Sequence, residues 1–154
     1  MRGLRQATVK AEVTGLAARL GQALAQVPAA TVEDVDQAVR AARQAFDDSP
    51  WSRMRPRERQ NLLWKLADLI ERDAQVFAEL ECLNNGKSAQ VARVMDVQMA
   101  IDSLRYMAGW ATKIEGASVD VSLPLMPNDQ FHSFIRREAV GVVGAIVAWN
   151  FPLL

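Results

Sequence analysis

The sequence predicts an α/β fold, because two periodicities follow one another along the chain and the last predicted strand is wholly apolar. Apolar residues recur every three or four positions over residues 31–114, which is typical of helices. Beyond Gly116 apolar and polar residues alternate, which predicts strands. The last strand, residues 140–147, is apolar on both faces, as strands are when helices cover a parallel sheet on both sides.

A capping pair starts the first predicted helix. Thr31 and Asp34 can each bond a free amide group at the start of a helix. The apolar residues that follow at spacings of three and four are Val32, Val35, Val39, Ala42 and Phe46. We therefore predict an amphipathic helix that ends near Asp47.

The second helical pattern begins after a turn at residues 48–52. Pro56 fits the first turn of a helix, where its missing N–H would be unpaired anyway. The predicted buried stripe consists of Leu62, Leu63, Leu66, Leu69 and Ile70, and it continues with Val76, Phe77 and Leu80. A bend or break is expected at residues 72–73. The Asn-Asn-Gly sequence at residues 84–86 accepts the left-handed conformation that ends a helix.

The third helical pattern covers residues 88–114, and Gly116 ends it. Its expected inward residues are Val91, Val94, Met95, Ile101, Leu104, Met107 and Ala108. The predicted strands cover residues 119–123, 131–136 and 140–147, with turn residues between them. Residues 1–20 show no clear period and are left unassigned.

The wholly apolar final strand also indicates that the pattern is unfinished. Such a strand requires packed layers on both sides, usually from further βα units. The sequence supplies none after Leu154. We therefore expect the chain to be truncated relative to its functional domain.

Composition excludes several classes of partner. Eighteen basic and eighteen acidic residues leave no net charge to attract nucleic acid at long range. The longest apolar run, residues 140–154, is too short and too interrupted to span a bilayer, and no secretory signal precedes it. The single cysteine, Cys82, rules out an internal disulfide and fits a reducing compartment. We expect a cytoplasmic protein without nucleic-acid or membrane partners.

Five segments, taken in order, resemble the aldehyde dehydrogenase superfamily. They are the entry to the first helix at residues 27–31, Trp51 with Arg57-Glu58-Arg59, the stretch 79–87 ending in Asn85-Gly86-Lys87, the stretch 106–116, and the stretch 137–152 ending in Trp149-Asn150-Phe151-Pro152. The resemblance covers residues 21–154. The chain departs from it at Ala139 and Ala148, where the family often has proline, and in its first 20 residues, which lack the family's early strand pair.

The resemblance implies an incomplete aldehyde dehydrogenase fold. Residues 21–154 would be the N-terminal part of a Rossmann-like cofactor-binding domain, with its helices and first strand. A hairpin at about residues 117–138 would belong to an arm through which the full-length protein forms a homo-oligomer. The implied cofactor is NAD or NADP, and the implied substrate is an aldehyde.

The implied reaction is oxidation of the aldehyde to a carboxylic acid with NAD(P)+. In the family a cysteine thiolate attacks the aldehyde, a hydride leaves for the cofactor, and the thioester is hydrolysed. Asn150 matches the asparagine whose amide donates to the oxyanion, although asparagine is also a common turn residue. Ile146, Val147, Ala148 and Trp149 would line the dinucleotide, or they could serve only as strand core.

Three other residues with reactive side chains are not expected to take part in catalysis or metal binding. Cys82 has no histidine nearby and is expected to be a small core residue. His132 has no cysteine or second histidine near it, so no metal site is predicted. Lys87 is expected to be a surface charge. Because the family's nucleophilic cysteine and general-base glutamate have no match here, the chain alone is expected to be inactive.

Two other hypotheses stay open from the sequence. The chain could be a non-catalytic fragment that associates with full-length subunits through its hairpin and long helices. It could also be an unrelated helical interaction module, in which the final strand would be irrelevant to folding.

Overall fold

The computed structural model describes residues 12–16 and 23–154, and in these parts helices precede a short hairpin. The elements are β1 (Glu12–Leu16), β2 (Ala23–Pro28), α1 (Val32–Asp48), α2 (Pro50–Arg53), α3 (Pro56–Arg72), α4 (Ala74–Asn85), α5 (Ala89–Val91), α6 (Gln98–Trp110), β3 (Ala117–Val119) and β4 (Ser133–Ile135). A π-helical segment, Ala92–Val97, joins α5 to α6. No helix among the described residues is both long and apolar enough to cross a bilayer.

An antiparallel strand pair precedes the helices. Strand β1 pairs with β2 from Glu12 opposite Pro28 to Leu16 opposite Ala23, with an irregularity between Gly15 and Leu16. The expectation that the first 20 residues lack a strand pair is therefore wrong for residues 12–16. A strand of five residues is too short to give a clear period in sequence. The rest of that unassigned segment, residues 1–11 and 17–20, lies outside the described residues.

The predicted cap of α1 is present. The backbone N–H of Thr31 donates to Asp34 Oδ2 at 2.9 Å, and the N–H of Asp34 donates to Thr31 Oγ1 at 3.3 Å. The bond from the Thr31 backbone holds the pKa of the Asp34 carboxyl below its ordinary value. No residue of α1 is buried, however, and the apolar stripe that the sequence placed inward is exposed apart from the half-buried Phe46.

Helices α3 and α4 have the predicted boundaries. Pro56 begins α3, the chain breaks at Asp73, and Gly86 ends α4 with a φ of 73°. The prediction was right for Ile70, which is buried, but the expected leucines are exposed or half-buried. The buried residues of these two helices are Ala67, Ile70, Ala74, Ala78 and Glu81. Small side chains let helices approach closely, so alanines occupy the contact and the bulkier leucines lie beside it.

The third helical stretch is divided by its π-helical segment and ends at Trp110 instead of Ile114. Because a π-helical turn holds more residues than an α-helical turn, it shifts which positions face inward. The buried residues are Ala92, Asp96, Val97, Ala100, Ile101 and Ala108. The prediction was right for Ile101 and Ala108 and wrong for Val91, Val94, Met95 and Met107, which are exposed.

The core lies between α3, α4 and the stretch from the π-helical segment to α6. Buried alanines together with Ile70, Val97 and Ile101 form it, and Phe77, Leu104 and Leu153 pack against it. Arg105 on α6 bonds Glu71 and Asp68 on α3, the latter at 2.9 Å. These bonds raise the pKa of Arg105 above its ordinary value, so the guanidinium stays charged and links the two helices.

Strands β3 and β4 form an antiparallel hairpin, with Ala117 opposite Ile135 and Val119 opposite Ser133. Strand β4 lies within the predicted strand 131–136, whereas β3 lies earlier than the predicted strand 119–123 and overlaps it at Val119. Residues 120–132 between them have no regular structure. Gly116 allows the backbone before β3 to lie close to the end of β4, because a Cβ at this position would be 2.1 Å from the carbonyl oxygen of Ile135. A larger residue at position 116 would push these two backbone segments apart.

The predicted strand at residues 140–147 does not form. This stretch has no strand partner among the described residues, and its apolar side chains face outward. Val140 is 87% exposed and Ile146 is fully exposed. A strand requires a neighbour to accept and donate its backbone hydrogen bonds, so an apolar pattern alone does not make one.

Candidate functional site

The candidate site is the turn that contains Asn150 near the end of the described chain. Asn150 lies in a turn after the exposed stretch, and its side chain is exposed. The four candidate cofactor residues, Ile146, Val147, Ala148 and Trp149, are also exposed and lie in the same stretch, with Trp149 85% exposed. These five residues are consecutive in sequence, and the structure exposes all of them on one surface segment.

An open cleft of about 380 Å³ lies on one side of this turn. Its walls include Val147 and Ala148 together with residues 151–154. Of the predicted cofactor residues, these two line the cleft, whereas Ile146 and Trp149 do not. All six residues that line the cleft have apolar side chains.

The residues after Asn150 are attached to the helical core. The backbone N–H of Leu153 donates to Oε1 of Glu81 at 3.0 Å, and the Leu153 side chain packs against the core. Glu81 is buried on α4, and its other carboxylate oxygen accepts a bond from Asn85 Nδ2 at 3.1 Å. Both oxygens of this buried carboxyl group are thus hydrogen-bonded, as buried polar groups generally are.

Lys87 forms a second attachment, and the prediction that it is a surface charge is wrong. Its Nζ donates to both carboxylate oxygens of Asp96 at 2.9 Å. The Asp96 side chain is 0% exposed and that of Lys87 is 20% exposed. The same Nζ lies 3.8 Å from the ring centroid of Phe151, within the range of a cation–π interaction.

These polar residues, Glu81, Asn85, Lys87 and Asp96, are called the anchor cluster below. Local structure positions each of them. Glu81 continues the buried face of α4 that begins with Ala74 and Ala78, the left-handed turn at Gly86 leads the chain back toward the core, and the π-helical segment places Asp96 inward. A glutamate at helical spacing within a buried alanine stripe is a sequence signal that could have identified Glu81.

The other titratable candidates lie apart from this turn. Cys82 is a half-buried free thiol on α4, and His132 is exposed immediately before β4. Within residues 12–16 and 23–154, no three His, Cys, Asp or Glu side chains form a group that could hold a metal ion. The turn at Asn150 is therefore the place where the structure concentrates the predicted site residues.

Comparison with known proteins gives one consistent family. Residues 7–154 match the family model described as "Aldehyde dehydrogenase family". The chain is 46% identical over 134 residues to phenylacetaldehyde dehydrogenase of Pseudomonas fluorescens, covering 87% of this chain and 27% of that protein. It is 47% identical over 135 residues to mitochondrial aldehyde dehydrogenase of Equus caballus, covering 87% of this chain and 26% of that protein. The chain thus spans about a quarter of the length of these relatives.

Solved structures agree with the sequence matches. A mutant aldehyde dehydrogenase from Bacillus cereus superposes with a TM-score of 0.86 at 43% identity, covering 93% of this chain and 28% of that one. The NAD+ complex of the enzyme from the same organism gives a TM-score of 0.71 at 43% identity, covering 73% and 23%. The predicted fold class is confirmed by these neighbours, which share this arrangement over part of their length.

Proposed function

Because the chain belongs to the aldehyde dehydrogenase family, we propose that it forms one wall of an active site that oxidises an aldehyde to a carboxylic acid with NAD or NADP. Relatives named as aldehyde dehydrogenases at 46–47% identity support this reaction. The chain spans about a quarter of their length, so the activity is proposed for the whole enzyme to which such a segment contributes. The aldehyde itself is left open.

Asn150 is proposed as a hydrogen-bond donor to the oxygen of the reacting aldehyde. When a nucleophile attacks the aldehyde carbon, the carbonyl oxygen gains negative charge, and a fixed amide N–H stabilises that charge. The observation that supports the role is the exposed position of Asn150 in a turn whose neighbouring residues line a cleft and whose following residues are attached to the core. An accessible donor on an anchored turn can meet a substrate without reorganising.

The cofactor surface is proposed along residues 146–149. A bound NAD or NADP would supply the acceptor for the hydride that leaves the aldehyde carbon. Val147 and Ala148 offer an apolar wall, and the exposed indole of Trp149 adds a flat face, so these residues fit contact with a nicotinamide ring. The NAD+ complex of the Bacillus cereus neighbour supports use of such a cofactor in the family.

The hairpin formed by β3 and β4 is proposed to serve a homo-oligomer, as the family resemblance implies. The supporting observation is that Phe134 and Ile135 of β4 are exposed, since apolar side chains on a short exposed sheet favour contact with another chain. Relatives with "mitochondrial" in their names stand beside bacterial ones, so the cytoplasmic location stays a prediction.

A second candidate function is association with other family subunits without catalysis. It is favoured by the large apolar side chains that the described surface exposes, among them Tyr106, Met107, Val140 and Ile146. Exposed apolar surface of this extent commonly marks a contact with another protein. Co-purification of the tagged chain with a full-length relative, without any gain in turnover, would support this candidate over the first.

Replacing Asn150 tests the catalytic proposal. The enzyme is a chimera in which this chain replaces the matching quarter of the Pseudomonas fluorescens relative. Asn150→Ala should lower kcat by about 100-fold to 1,000-fold, because one donor to a developing oxyanion is lost. KM for the aldehyde should change little, since the bond strengthens mainly in the transition state. Formation of reduced cofactor is the measurement.

The matched control is Asn61→Ala, which removes an exposed asparagine from α3. This variant should keep the kcat of the unmodified chimera. Equal kcat values for the Asn150→Ala and unmodified enzymes would show that Asn150 serves only the turn.

A further inference from the structure

We propose that Glu81 and Lys87 are positioning residues for the reaction, which hold the Asn150 turn in place through Leu153 and Phe151. The inference rests on the proposed role of Asn150 and extends it to two side chains that do not touch the substrate. It starts from two contacts that join the end of the described chain to the helical core.

The first contact fixes the backbone. Glu81 accepts the N–H of Leu153 across 72 positions of sequence, at a distance of 3.0 Å. The carboxylate cannot turn away freely, because Asn85 bonds its other oxygen and the side chain is buried. A charged acceptor in a buried setting gives a stronger hydrogen bond than a neutral one in water.

The second contact fixes an aromatic ring. The ammonium of Lys87 is held by both oxygens of the fully buried Asp96, so its position is set by the core. Phe151 places its ring 3.8 Å from that ammonium. Because the charge is only 20% exposed, water screens the attraction less than at an open surface.

Together the two contacts determine where Asn150 lies. Phe151 and Leu153 are held on either side of Pro152, whose ring restricts the backbone angle φ. Asn150 is the next residue before Phe151, whereas the stretch that precedes it is exposed and has no strand partner among the described residues. The amide of Asn150 is therefore positioned from its C-terminal side, by the anchor cluster.

The reaction rate depends on the distance between the Asn150 amide and the oxygen of the reacting aldehyde. A displacement of about 1 Å at a reacting group can cost about 100-fold in rate. Loss of the Leu153 bond leaves two attachments, the packing of the Leu153 side chain against the core and the ring contact of Phe151. Turnover should fall, but by less than in the variant that lacks the donor itself.

Helix α4 supplies a matched control for Glu81. Glu79 lies on the same helix, is exposed, and accepts a bond from Gln75 at 2.9 Å. Glu79→Ala removes the same side chain from the same helix without touching the turn. Glu81→Gln is the conservative variant, because its amide oxygen can still accept the Leu153 N–H.

Hydrogen exchange of the isolated chain tests the attachment without any catalysis. The amide of Leu153 should exchange about 10-fold faster or more in Glu81→Ala, since a hydrogen bond to a charged group has been lost. Glu81→Gln should stay close to the unmodified chain, and Glu79→Ala should match it. Equal Leu153 exchange in Glu81→Ala and Glu79→Ala would overturn the attachment.

Turnover of the chimera described above tests the positioning. Glu81→Ala should lower kcat per folded molecule about 10-fold, with KM for the aldehyde little changed and recovery in Glu81→Gln. Phe151→Leu, which keeps an apolar side chain but removes the ring and leaves the Lys87–Asp96 pair intact, should lower kcat about 3-fold to 10-fold, as loss of a partly buried cation–π contact predicts. Glu79→Ala should leave kcat unchanged.

The outcomes separate this inference from the proposed function. If Asn150→Ala lowers kcat as expected while Glu81→Ala and Phe151→Leu keep the unmodified value, the positioning inference is overturned and the oxyanion role stands. If Glu81→Ala lowers only the folded fraction and not kcat per folded molecule, its role is structural and the inference is likewise overturned. If Asn150→Ala itself has no effect, the proposed function fails, and the catalytic part of this inference fails with it.

Discussion

The helices α3 to α6 and the stretch 140–150 are both rich in apolar residues, yet the structure treats them in opposite ways. Ile101 on α6 is completely buried, whereas Ile146 is fully exposed. A helix closes its backbone hydrogen bonds within itself, so its apolar face is free to pack against another helix. An extended stretch has to find a neighbouring strand before its side chains gain a buried layer.

The two regions meet at the anchor cluster, where polar contacts accompany the packing of Leu153 against the core. Glu81 and Lys87 reach from the helical side to Leu153 and Phe151 on the other. Apolar packing alone would hold the end of the chain with little directional preference, whereas a hydrogen bond and a charge above a ring fix its orientation. Burial stabilises the helical region, and we propose that the directional contacts position the Asn150 turn.

The largest expected effect comes from breaking the buried ion pair. Lys87→Ala leaves the carboxylate of Asp96 buried without its cation, and should lower the free energy of unfolding by about 3–5 kcal/mol. Urea denaturation followed by circular dichroism measures it. Lys65→Ala, an exposed lysine on α3, is the control and should stay within about 0.5 kcal/mol of the unmodified chain. If both variants lose a similar amount of unfolding free energy, Lys87 contributes no more to stability than an exposed surface lysine.

Separate replacement of Ile101 and Ile146 is the most direct test of the difference between the helical core and the stretch 140–150. Ile101→Ala should cost about 2–5 kcal/mol in the free energy of unfolding, because it leaves a cavity in a packed core. Ile146→Ala makes the same chemical change in the exposed stretch and should cost less than about 0.5 kcal/mol. Denaturation midpoints of the two variants under identical conditions decide the matter. A cost at Ile146 that equals the cost at Ile101 would mean that residues 140–150 are packed in solution.

The smallest expected effect concerns two glycines. Gly116→Ala should destabilise the hairpin by about 1–3 kcal/mol, because the new Cβ would meet the Ile135 carbonyl oxygen at 2.1 Å. Gly144→Ala, where a Cβ meets no atom within 4 Å, should be neutral or slightly stabilising. Amide exchange of residues in β3 and β4 is the measurement. If amide exchange in β3 and β4 is unchanged in Gly116→Ala, the backbone at residue 116 does not lie this close to Ile135.

The helix boundaries were predictable because local chemistry sets them. The Thr31 cap, the proline at the start of α3, the break at Asp73 and the left-handed Gly86 all depend on residues a few positions apart. The inward faces were less predictable. The π-helical segment Ala92–Val97 shifted the phase of the third helical pattern, and a period of 3.6 cannot anticipate that shift.

The sequence by itself determined the helical elements and, through the order of its motifs, the family. Tertiary structure decided which apolar residues are buried, that residues 140–147 remain unpaired among the described elements, and that Lys87 belongs to a buried pair. The reason is separation along the chain: Lys87 meets Asp96 across 9 positions and Glu81 meets Leu153 across 72. Local propensity holds no information about such contacts, because only the packed chain brings these groups within bonding distance.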